Sequence, residues 1–385
     1  MLRFVVDKNI PFAREAFEQF GEVSVVETAQ LTNGAVRDAD VLIVRSETRV
    51  DATLLDGSRV RFVGTATIGT DHVDMDFLSS RGIAFASAPG SNSNSVKEYV
   101  VASLLHLACG KGMQLRGKTI GVVGVGNVGG KVAAAARSLG LEVLENDPLL
   151  ARQSGDKRFL PLDDLMECDI ITIHVPLTRE GTDPTFHLFD RDRFRRMKPG
   201  IIFINTSRGG VADTVALKEA ILERRISHAV LDVWENEPAI DTELLSISTL
   251  GTPHIAGYSL DGKINGLLMI RQAVCNHFSL QSMWDPATLA ALPMGNTVGI
   301  PAGTPRPEEV LHHIVKHCYD ISADDAALRR LLNDAPDERS RSFSRLRSGY
   351  GVRREFSNYS VSLPRERAHL KDALMGIGFA NFNIY

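Results

Sequence analysis

The stretch KTIGVVGVGNVGGKVAAAARSLGLEVLEND, residues 118–147, decides the fold of this 385-residue chain. An apolar, β-branched run leads into Gly124, Gly126 and Gly129, and the alanine-rich segment that follows is typical of a helix. In a G-x-G-x-x-G turn the first glycine permits a tight turn, the second lets the backbone approach a pyrophosphate, and the third lets helix and strand pack closely. The stretch therefore predicts a strand, a glycine turn and a helix that bind a dinucleotide.

An acid at the end of the next strand indicates which dinucleotide is bound. The run LEVLEND ends in Asp147, which is 147 − 124 = 23 residues after the first glycine, where a carboxylate can bind the ribose hydroxyls of the adenosine. A carboxylate at this place repels a 2′-phosphate, so NAD is predicted rather than NADP. Strand, glycines, helix, strand and acid in this order are a far more specific signal than an isolated glycine motif.

Three later segments carry the residues of an acid-binding, proton-transferring site: NTSRGG at 205–210, DVWENEP at 232–238 and TPHIAGYS at 252–259. The guanidinium of Arg208 can hold a carboxylate and polarise a neighbouring oxygen. His254 can exchange a proton with a hydroxyl near neutral pH, and Glu237 would favour the charged imidazole and fix its orientation. Alone, each residue is more often a surface or structural group, so the prediction depends on the combination and on the dinucleotide motif before it.

Apolar runs along the chain predict an α/β protein with parallel sheets. LRFVV, DVLIV, RFVGTA and IAFAS alternate with helix-like stretches up to about residue 95, and IITIHV, IIFINTS and HAVLDV are typical of strands buried on both faces. Ligands bind at the carboxyl ends of such strands. We therefore expect the residues that follow them to face the cofactor: Val175, Ser207, Arg208, Gly209 and Asp232. His174 also follows a strand, but a polar strand-end residue explains it at least as well as catalysis does, so it is not assigned to the catalytic set.

Four segments, GVVGVGNVG, KPGIIFINTSRGGVAD, AVLDVWENEP and TPHIAGYS, make the sequence resemble the NAD-dependent D-2-hydroxyacid dehydrogenase family. The resemblance implies two Rossmann-like parallel-sheet domains, a flavodoxin-like substrate domain and an NAD-binding domain, with NAD as the cofactor and the chemistry in the cleft between them. It further implies a small α+β C-terminal domain that forms a homodimer. The expected boundaries are 1–95 with 257–285 for the substrate domain, 96–256 for the NAD-binding domain and 286–385 for the dimerisation domain.

The resemblance also assigns roles residue by residue. The implied cofactor contacts are Gly124, Gly126, Asn127, Val128, Asp147, Val175, Ser207, Arg208, Gly209, Asp232 and Gly257. The implied substrate contacts are Ser46, Thr67 and Tyr258, and Arg45 is the best candidate to bind a phosphate at the far end of the substrate.

Within the family, segments 44–50, 61–74, 87–100 and 252–263 and a C-terminal extension of about a hundred residues imply a member that oxidises a phosphorylated four-carbon 2-hydroxy acid. Ser91 stands where the compared members have cysteine, which is a small departure. Two alternatives remain open at this point: a dehydrogenase of another 2-hydroxy acid such as phosphoglycerate or glycerate, and a non-catalytic NAD-sensing regulator on the same fold.

The chain changes in character after about residue 286. PMGNTVGIPAGTPRP is typical of a linker, and the alternation in REFSNYSVSL favours a sheet element that could form a dimer. His312, His313 and His317 are spaced by about one helical turn, but no acid or cysteine completes a metal site, so a solvated helix face is favoured and no metal is predicted. The segment also contains four arginines: Arg345, Arg347, Arg353 and Arg354. Such arginines are more often surface charges than ligand contacts, but a phosphate on the substrate favours a role for some of them in binding it. Arg353 or Arg354 could reach that phosphate across a dimer.

Composition excludes several other classes of protein. A net charge of −4 gives no overall signature of binding to nucleic acid or to an acidic membrane. The four cysteines lack paired spacing, as expected of reduced thiols in the cytoplasm. The N-terminal MLRFVVDKNIPF predicts a strand and a turn rather than a signal peptide, and the longest apolar helix is too short to span a bilayer. We therefore expect a cytoplasmic enzyme with a small-molecule substrate and no nucleic-acid or membrane partner.

Overall fold

The structure is a computed structural model that describes residues 1–281, 295–300 and 306–385. The chain divides into two compact units. The first contains Met1–Asn92 and the segment that starts at Ser259, and the second contains Ser93–Tyr258 and the C-terminal segment that ends at Tyr385. The predicted boundary at 285–286 and part of the predicted linker lie outside the described residues, and the division into three domains stays a prediction.

The first unit is built on a five-stranded parallel sheet in the order β2-β1-β3-β4-β5. Its strands are β1 (Leu2–Asp7), β2 (Gly21–Val26), β3 (Val41–Val44), β4 (Phe62–Thr65) and β5 (Ala84–Ala86). The helices between them are α1 (Ala13–Phe17), α2 (Asn33–Val36), α3 (Ala52–Leu55) and α4 (Met75–Ser80). Strands β3 and β4 are buried along their whole length, as expected of central strands covered on both faces. This strand order is the flavodoxin-like one that the sequence predicts.

The second unit contains a six-stranded parallel sheet in the order β11-β10-β9-β8-β6-β7. Its strands are β6 (Thr119–Val123), β7 (Glu142–Asn146), β8 (Ile170–Ile173), β9 (Ile201–Asn205), β10 (Ile226–Leu231) and β11 (Leu250–Gly251). Its helices are α5 (Ser93–Lys111), α6 (Gly129–Ser138), α7 (Pro148–Ser154), α8 (Arg191–Arg196), α9 (Thr214–Leu222) and α10 (Thr242–Ile247). The order reverses between β6 and β8, and ligands bind at such a switch point in doubly wound folds.

Helix α11 (Leu260–Phe278) belongs to the first unit. The hydroxyl of Ser259 accepts the N–H of Gly262 at 2.8 Å and so caps the start of this helix. A Cβ on Gly266 would lie 2.7 Å from the carbonyl oxygen of Ala66, so glycine lets α11 pack closely beside the carboxyl end of β4.

Within the described residues, the C-terminal segment adds four α-helices and a small parallel sheet in the order β12-β13-β14. These elements are β12 (Thr297–Val298), α12 (Pro307–Cys318), α13 (Ile321–Arg329), α14 (Arg339–Ser348), β13 (Ser360–Leu363), α15 (Lys371–Ile377) and β14 (Asn381–Ile384). β13 confirms the predicted sheet element, whereas β12 lies inside the predicted linker. Val361 and Leu374 share a hydrophobic core with Val132 of α6, so the segment is packed onto the NAD-binding sheet. None of the described helices is long and apolar enough to cross a bilayer.

Candidate active site

The three glycines of the dinucleotide motif have three different environments. Gly124 has a φ of 85°, in the left-handed region that favours glycine. A Cβ on Gly129 would lie 1.8 Å from the carbonyl oxygen of Gly124, so the start of α6 can approach the turn only without a side chain. A Cβ on Gly126 would meet no atom within 4 Å. The open space at the second glycine, beside the N-terminus of α6, fits the pyrophosphate of a dinucleotide.

Asp147 ties the glycine turn to the next helix. One oxygen of its carboxylate accepts the N–H of Val125 at 2.9 Å, and the other accepts the N–H of Leu150 at 3.0 Å and so caps α7. Each carboxylate oxygen can accept a second hydrogen bond, which leaves capacity for the ribose hydroxyls of NAD. Asn127 and Val128 lie in the same turn, directly before α6.

Three adjacent strands bring together the three residues predicted to be catalytic. Arg208 follows β9, Glu237 follows β10 and His254 follows β11. The carboxyl ends of neighbouring parallel strands lie at the same edge of a sheet, so residues far apart in sequence meet there. All three line one cavity of about 250 Å³, whose other walls include Leu177, Arg179, Phe186 and Trp234.

His254 and Glu237 form a hydrogen-bonded pair. The Nδ1 of His254 lies 2.7 Å from one carboxylate oxygen of Glu237, and the other oxygen accepts the N–H of Trp234 at 2.9 Å. Burial alone would raise the pKa of Glu237, but the charge and hydrogen bond of His254, the Trp234 N–H and the charge of Arg347 together hold that pKa below its usual value. An ionised carboxylate only accepts hydrogen bonds. The Nδ1 of His254 is therefore the donor, and its Nε2 is the nitrogen that can take a proton.

Asp232 holds the loop that carries His254. Its buried carboxylate accepts the hydroxyl of Thr252 at 2.6 Å and the backbone N–H groups of Ile255 and Ala256 at 2.8 and 2.9 Å. Its carbonyl oxygen accepts the N–H of His254, whose φ of 57° is unusual for a residue with a side chain. Burial raises the pKa of Asp232 above its usual value, and these donors oppose that shift. The sequence predicts Asp232 only as a cofactor contact, and the structure adds this support of the loop, which also contains Gly257.

Gly209 lets the loop of Arg208 lie against the loop that follows β10. A Cβ on Gly209 would lie 1.9 Å from the carbonyl carbon of Trp234, which is closer than any side chain allows. The amide of Asn205 donates to the carbonyl oxygen of Arg208 at 3.0 Å, and the hydroxyl of Ser207 donates to Asn205 at 2.9 Å. The indole of Trp234 donates to the carbonyl oxygen of Thr252 at 2.9 Å. These contacts connect the loops after β9, β10 and β11.

His174 has the surroundings of a structural residue. Its two ring nitrogens lie 3.0 Å and 3.2 Å from the hydroxyls of Thr172 and Thr206. Burial lowers the pKa of His174 to about 3, so the ring is neutral at physiological pH. Its neighbour Val175 packs against the glycine turn, because a Cβ on Gly124 would lie 2.8 Å from the Val175 methyl carbon.

The remaining predicted substrate contacts lie in the first unit. Arg45 and Ser46 follow β3, and Thr67 follows the adjacent strand β4, where its hydroxyl lies 2.7 Å from that of Thr65. The structure adds Lys263 of α11. Burial, and next the charge of Arg45, lower the pKa of Lys263 to about 8. Two cations thus lie close enough to each other to interact electrostatically, and paired cations of this kind can bind an anion.

Lys263 lies in the family segment 252–263, but no role is predicted for it from the sequence. The sequence feature that could have indicated it is its position one helical turn before Gly266, the glycine that packs α11 beside β4. Tyr258 and the three predicted catalytic residues lie in the second unit, so the structure assembles two groups of site residues, one in each unit.

The four C-terminal arginines differ sharply in environment. Arg353 is only 6% exposed and donates to the carbonyl oxygens of Ser95 and Ala256 within its own chain, at 3.1 and 2.7 Å. Arg354 donates to Asn358, and the exposed Arg345 donates to the hydroxyl of Ser342 on its own helix. Arg347 instead donates to the hydroxyl of Tyr258 at 3.4 Å. Spacing in the sequence does not separate Arg345 from Arg347, because their environments depend on which face of α14 packs on the core. Arg353 and Arg354 lie beyond the end of that helix.

Of the three C-terminal histidines of α12, His312 contributes to helix packing, whereas His313 and His317 are exposed. The ring of His312 packs on that of His106 with 5.8 Å between centroids, and burial lowers the pKa of both side chains. Within the part of the chain that the structure describes, no group of three or more His, Cys, Asp or Glu side chains could hold a metal ion.

The fold and the site define a class of protein, the D-2-hydroxyacid dehydrogenases that use NAD. Residues 93–256 match the family profile described as D-isomer specific 2-hydroxyacid dehydrogenase, NAD binding domain. Residues 292–378 match a domain of unknown function, DUF3410. The predicted fold class and NAD cofactor are confirmed.

Similar curated proteins narrow the class to one family. An erythronate-4-phosphate dehydrogenase of Azotobacter vinelandii is 44% identical over 98% of this chain and 99% of its own length. One of Salinibacter ruber is 44% identical over 94% of each chain. The chain belongs to the erythronate-4-phosphate dehydrogenase family, which confirms the family predicted from the sequence motifs.

Solved structures agree on the fold. A D-lactate dehydrogenase from Aquifex aeolicus, complexed with NAD and lactic acid, aligns with a TM-score of 0.60 and 25% identity over 72% of this chain and 95% of its own. The TT0316 protein from Thermus thermophilus aligns with a TM-score of 0.62 and 27% identity over 73% of this chain and 98% of its own.

Proposed function

We propose that this chain catalyses the NAD-dependent oxidation of 4-phospho-D-erythronate to (R)-3-hydroxy-2-oxo-4-phosphooxybutanoate, a step of pyridoxal 5′-phosphate biosynthesis. The observation that carries the proposal is the placement of Arg208, Glu237 and His254 around one cavity, at the edge of a sheet that also carries the glycine turn. The relatives over almost the whole chain supply the substrate, because they are named for erythronate 4-phosphate.

Residues of the second unit are proposed to hold the cofactor. Bound NAD supplies the hydride acceptor. The open space at Gly126 and the N-terminus of α6 support pyrophosphate binding, and Asp147 supports ribose binding. The proposed contacts are Gly124, Gly126, Asn127, Val128, Asp147, Val175, Ser207, Arg208, Gly209, Asp232 and Gly257.

The catalytic roles follow from the geometry of the pair. The Nε2 of His254 takes the proton of the C2 hydroxyl while C2 loses its hydride, and a C2 carbonyl forms. Glu237 stabilises the imidazolium through the 2.7 Å hydrogen bond and keeps Nε2 directed away from itself. Arg208 binds the C1 carboxylate and stabilises charge on the forming carbonyl oxygen.

The phosphorylated end of the substrate needs cations of its own, since Arg208 is engaged at the carboxylate. Arg45, which is 8% exposed, and the neighbouring Lys263 are proposed for this role in the first unit. The hydroxyls of Ser46 and Thr67, and Tyr258 from the second unit, are proposed as further substrate contacts.

A panel of acids tests the substrate assignment. NADH formation is followed with 4-phospho-D-erythronate, 3-phosphoglycerate and glycerate at equal concentrations. We expect the highest kcat/KM with 4-phospho-D-erythronate. A higher value with either three-carbon acid would reject the assignment, and NAD binding without turnover of any 2-hydroxy acid would favour a regulatory NAD sensor.

Homodimerisation through the C-terminal segment is also proposed. β14 lies at an edge of the three-stranded sheet, and Ile384 and Tyr385 are 41% and 61% exposed. Sedimentation equilibrium of the wild type and of Ile384→Asp tests the dimer: the proposal expects a dimer that the substitution weakens, and a monomeric wild type would contradict it.

A cytoplasmic location is proposed because all four cysteines are free thiols, three of them buried.

A further inference from the structure

Helix α14 carries Arg347 to the loop that holds His254. Phe343 of this helix is fully buried in the core beneath the NAD-binding sheet. Arg347 lies four residues later, and residues at this spacing share one face of a helix. Its guanidinium donates to the hydroxyl of Tyr258 at 3.4 Å, and its central carbon lies 6.0 Å from the centre of the Tyr258 ring. The anchored face of α14 thus directs a cation toward the predicted substrate contact.

A second contact ties the C-terminal segment to the same loop. Arg353 donates to the carbonyl oxygen of Ala256, two residues before Tyr258. The ring of Tyr350 packs edge-on against that of Tyr258 with 6.0 Å between centroids. The loop between His254 and Tyr258 is therefore held from the C-terminal side at more than one point, so the position of Arg347 relative to it is well defined.

Arg347 is also close enough to the catalytic pair to act on it electrostatically. Its charge is among those that oppose the effect of burial on Glu237 and lower the pKa of that carboxyl group. A substrate whose C2 hydroxyl reaches His254 extends away from it through C3 and C4 to the phosphate. A cation that contacts Tyr258 and acts electrostatically on Glu237 is suited to bind the phosphate of such a chain.

We propose that Arg347, supplied by the C-terminal segment, is a specificity-determining residue that binds the phosphate of the substrate together with the hydroxyl of Tyr258. This inference rests on the proposed function and deepens it. A guanidinium offers a planar fork that matches phosphate oxygens bidentately, and phosphate is commonly held by several cations. This role gives the C-terminal segment a direct part in substrate choice.

The same helix provides a matched control. Arg345 lies two residues away, is exposed and donates to the hydroxyl of Ser342 on its own helix. Residues two apart do not share a helix face. Replacing Arg345 removes the same charge from α14 and leaves the contact with Tyr258 in place.

Kinetics with two substrates distinguish phosphate binding from mere support of the loop. For Arg347→Met we expect kcat/KM with 4-phospho-D-erythronate to fall by about 10- to 100-fold, the range typical of a lost hydrogen bond to a charged group. The value with unphosphorylated D-erythronate should change by less than threefold, and Arg347→Lys should recover part of the loss. Arg345→Met should match the wild type with both substrates. An equal fall with both acids for Arg347→Met would indicate a positioning role and overturn the inference.

Binding of inorganic phosphate separates this inference from the proposed function. Calorimetry of the NAD-saturated full-length protein measures the Kd of inorganic phosphate without any turnover. We expect Arg347→Met to raise that Kd at least tenfold and Arg345→Met to leave it unchanged. Wild-type protein that binds no phosphate, or an Arg347→Met variant that binds it equally well, would overturn the role of Arg347. A wild type that fails to oxidise 4-phospho-D-erythronate but binds phosphate through Arg347 would instead reject the proposed substrate alone.

Discussion

Replacing Glu237 by glutamine tests the catalytic pair with almost no change in shape. The carboxylate of Glu237 accepts two hydrogen bonds, one from the N–H of Trp234 and one from the Nδ1 of His254. A glutamine amide has one accepting oxygen and one donating nitrogen. The backbone N–H of Trp234 cannot change its character, so the amide oxygen would face it and the amide nitrogen would face His254.

This orientation places the imidazole in the wrong protonation form. With an N–H group opposite it, Nδ1 must accept a hydrogen bond, and the proton of neutral His254 moves to Nε2, where the substrate hydroxyl needs a base. Turning the amide round restores the base but leaves the Trp234 N–H unsatisfied, which costs about 1–3 kcal/mol. The imidazolium also loses a charge-assisted hydrogen bond that contributes about 1.5–3 kcal/mol. Because about 1.4 kcal/mol is a factor of ten in rate, we expect kcat/KM to fall by roughly 10² to 10⁴.

The assay follows NADH with 4-phospho-D-erythronate for Glu237→Gln and for a matched control, Glu235→Gln. Glu235 lines the same cavity, but its carboxylate accepts from His187 and from the N–H of Thr214, whereas Glu237 is the hydrogen-bond partner of His254. The control should stay within about threefold of the wild type, and both variants should bind NAD normally. A Glu237→Gln enzyme with more than a tenth of wild-type kcat/KM, or an equal loss in the control, would refute the reasoning.

Five further substitutions test separate parts of the structure. Gly126→Ala should fold normally, because its Cβ meets no protein atom, and should weaken NAD binding, because that Cβ enters the space proposed for the pyrophosphate. Gly129→Ala should lower the melting temperature, because its Cβ would lie 1.8 Å from a carbonyl oxygen. Calorimetry measures the melting temperature and NAD titration measures binding, so the two outcomes can be separated. In Gly209→Ala the added Cβ must move from 1.9 Å to the 3.4 Å of ordinary contact with the carbonyl carbon of Trp234, a shift of 3.4 − 1.9 = 1.5 Å. We expect kcat to fall about 10²-fold. Unchanged turnover would show that catalysis does not need the close approach of the loops after β9 and β10. Burial lowers the pKa of His174 from 6.5 to about 3, so the unfolded chain takes up this proton at a higher pH than the folded chain does. The free energy of unfolding should therefore fall as the pH drops from about 6.5 to about 3, by up to about 1.4 kcal/mol per pH unit. Denaturant titrations of His174→Gln at several pH values should lack this contribution to the pH dependence. Arg45→Ala should raise KM for 4-phospho-D-erythronate far more than for D-erythronate, and equal effects on both acids would remove Arg45 from the phosphate site.

The sequence is sufficient for features that local chemistry determines. The glycine turn is one example, because the different surroundings of Gly126 and Gly129 match the roles that their spacing predicts. The placement of Arg208, Glu237 and His254 around one cavity is another, since each lies in a loop that follows a strand and parallel strands bring their carboxyl ends to one edge. The continuous apolar runs likewise predict strands such as β8 and β9, which are buried over their full length.

Other features depend on packing between segments that lie far apart in the chain. Arg347 contacts Tyr258 across 89 residues, and only the burial of Phe343 determines which arginine of α14 points there. Lys263 becomes notable because α11 packs beside β4 near Arg45. The edge strand β2 is mostly exposed and is not among the strands named from the sequence, because its apolar signal is weak. The two-residue β12 depends on its pairing with β13 and has no local signal of its own.

The most direct test of the central claim is transfer of the C2 hydrogen of the substrate. 4-Phospho-D-erythronate deuterated at C2 is incubated with NAD and the wild-type protein, and the reduced cofactor is analysed by mass spectrometry. Hydride transfer from C2 predicts one deuterium in each NADH formed. With His254 as the base, His254→Ala should bind NAD but form this labelled NADH at least 10²-fold more slowly. NADH without deuterium, or no NADH from this substrate with a folded, NAD-binding protein, would contradict the account.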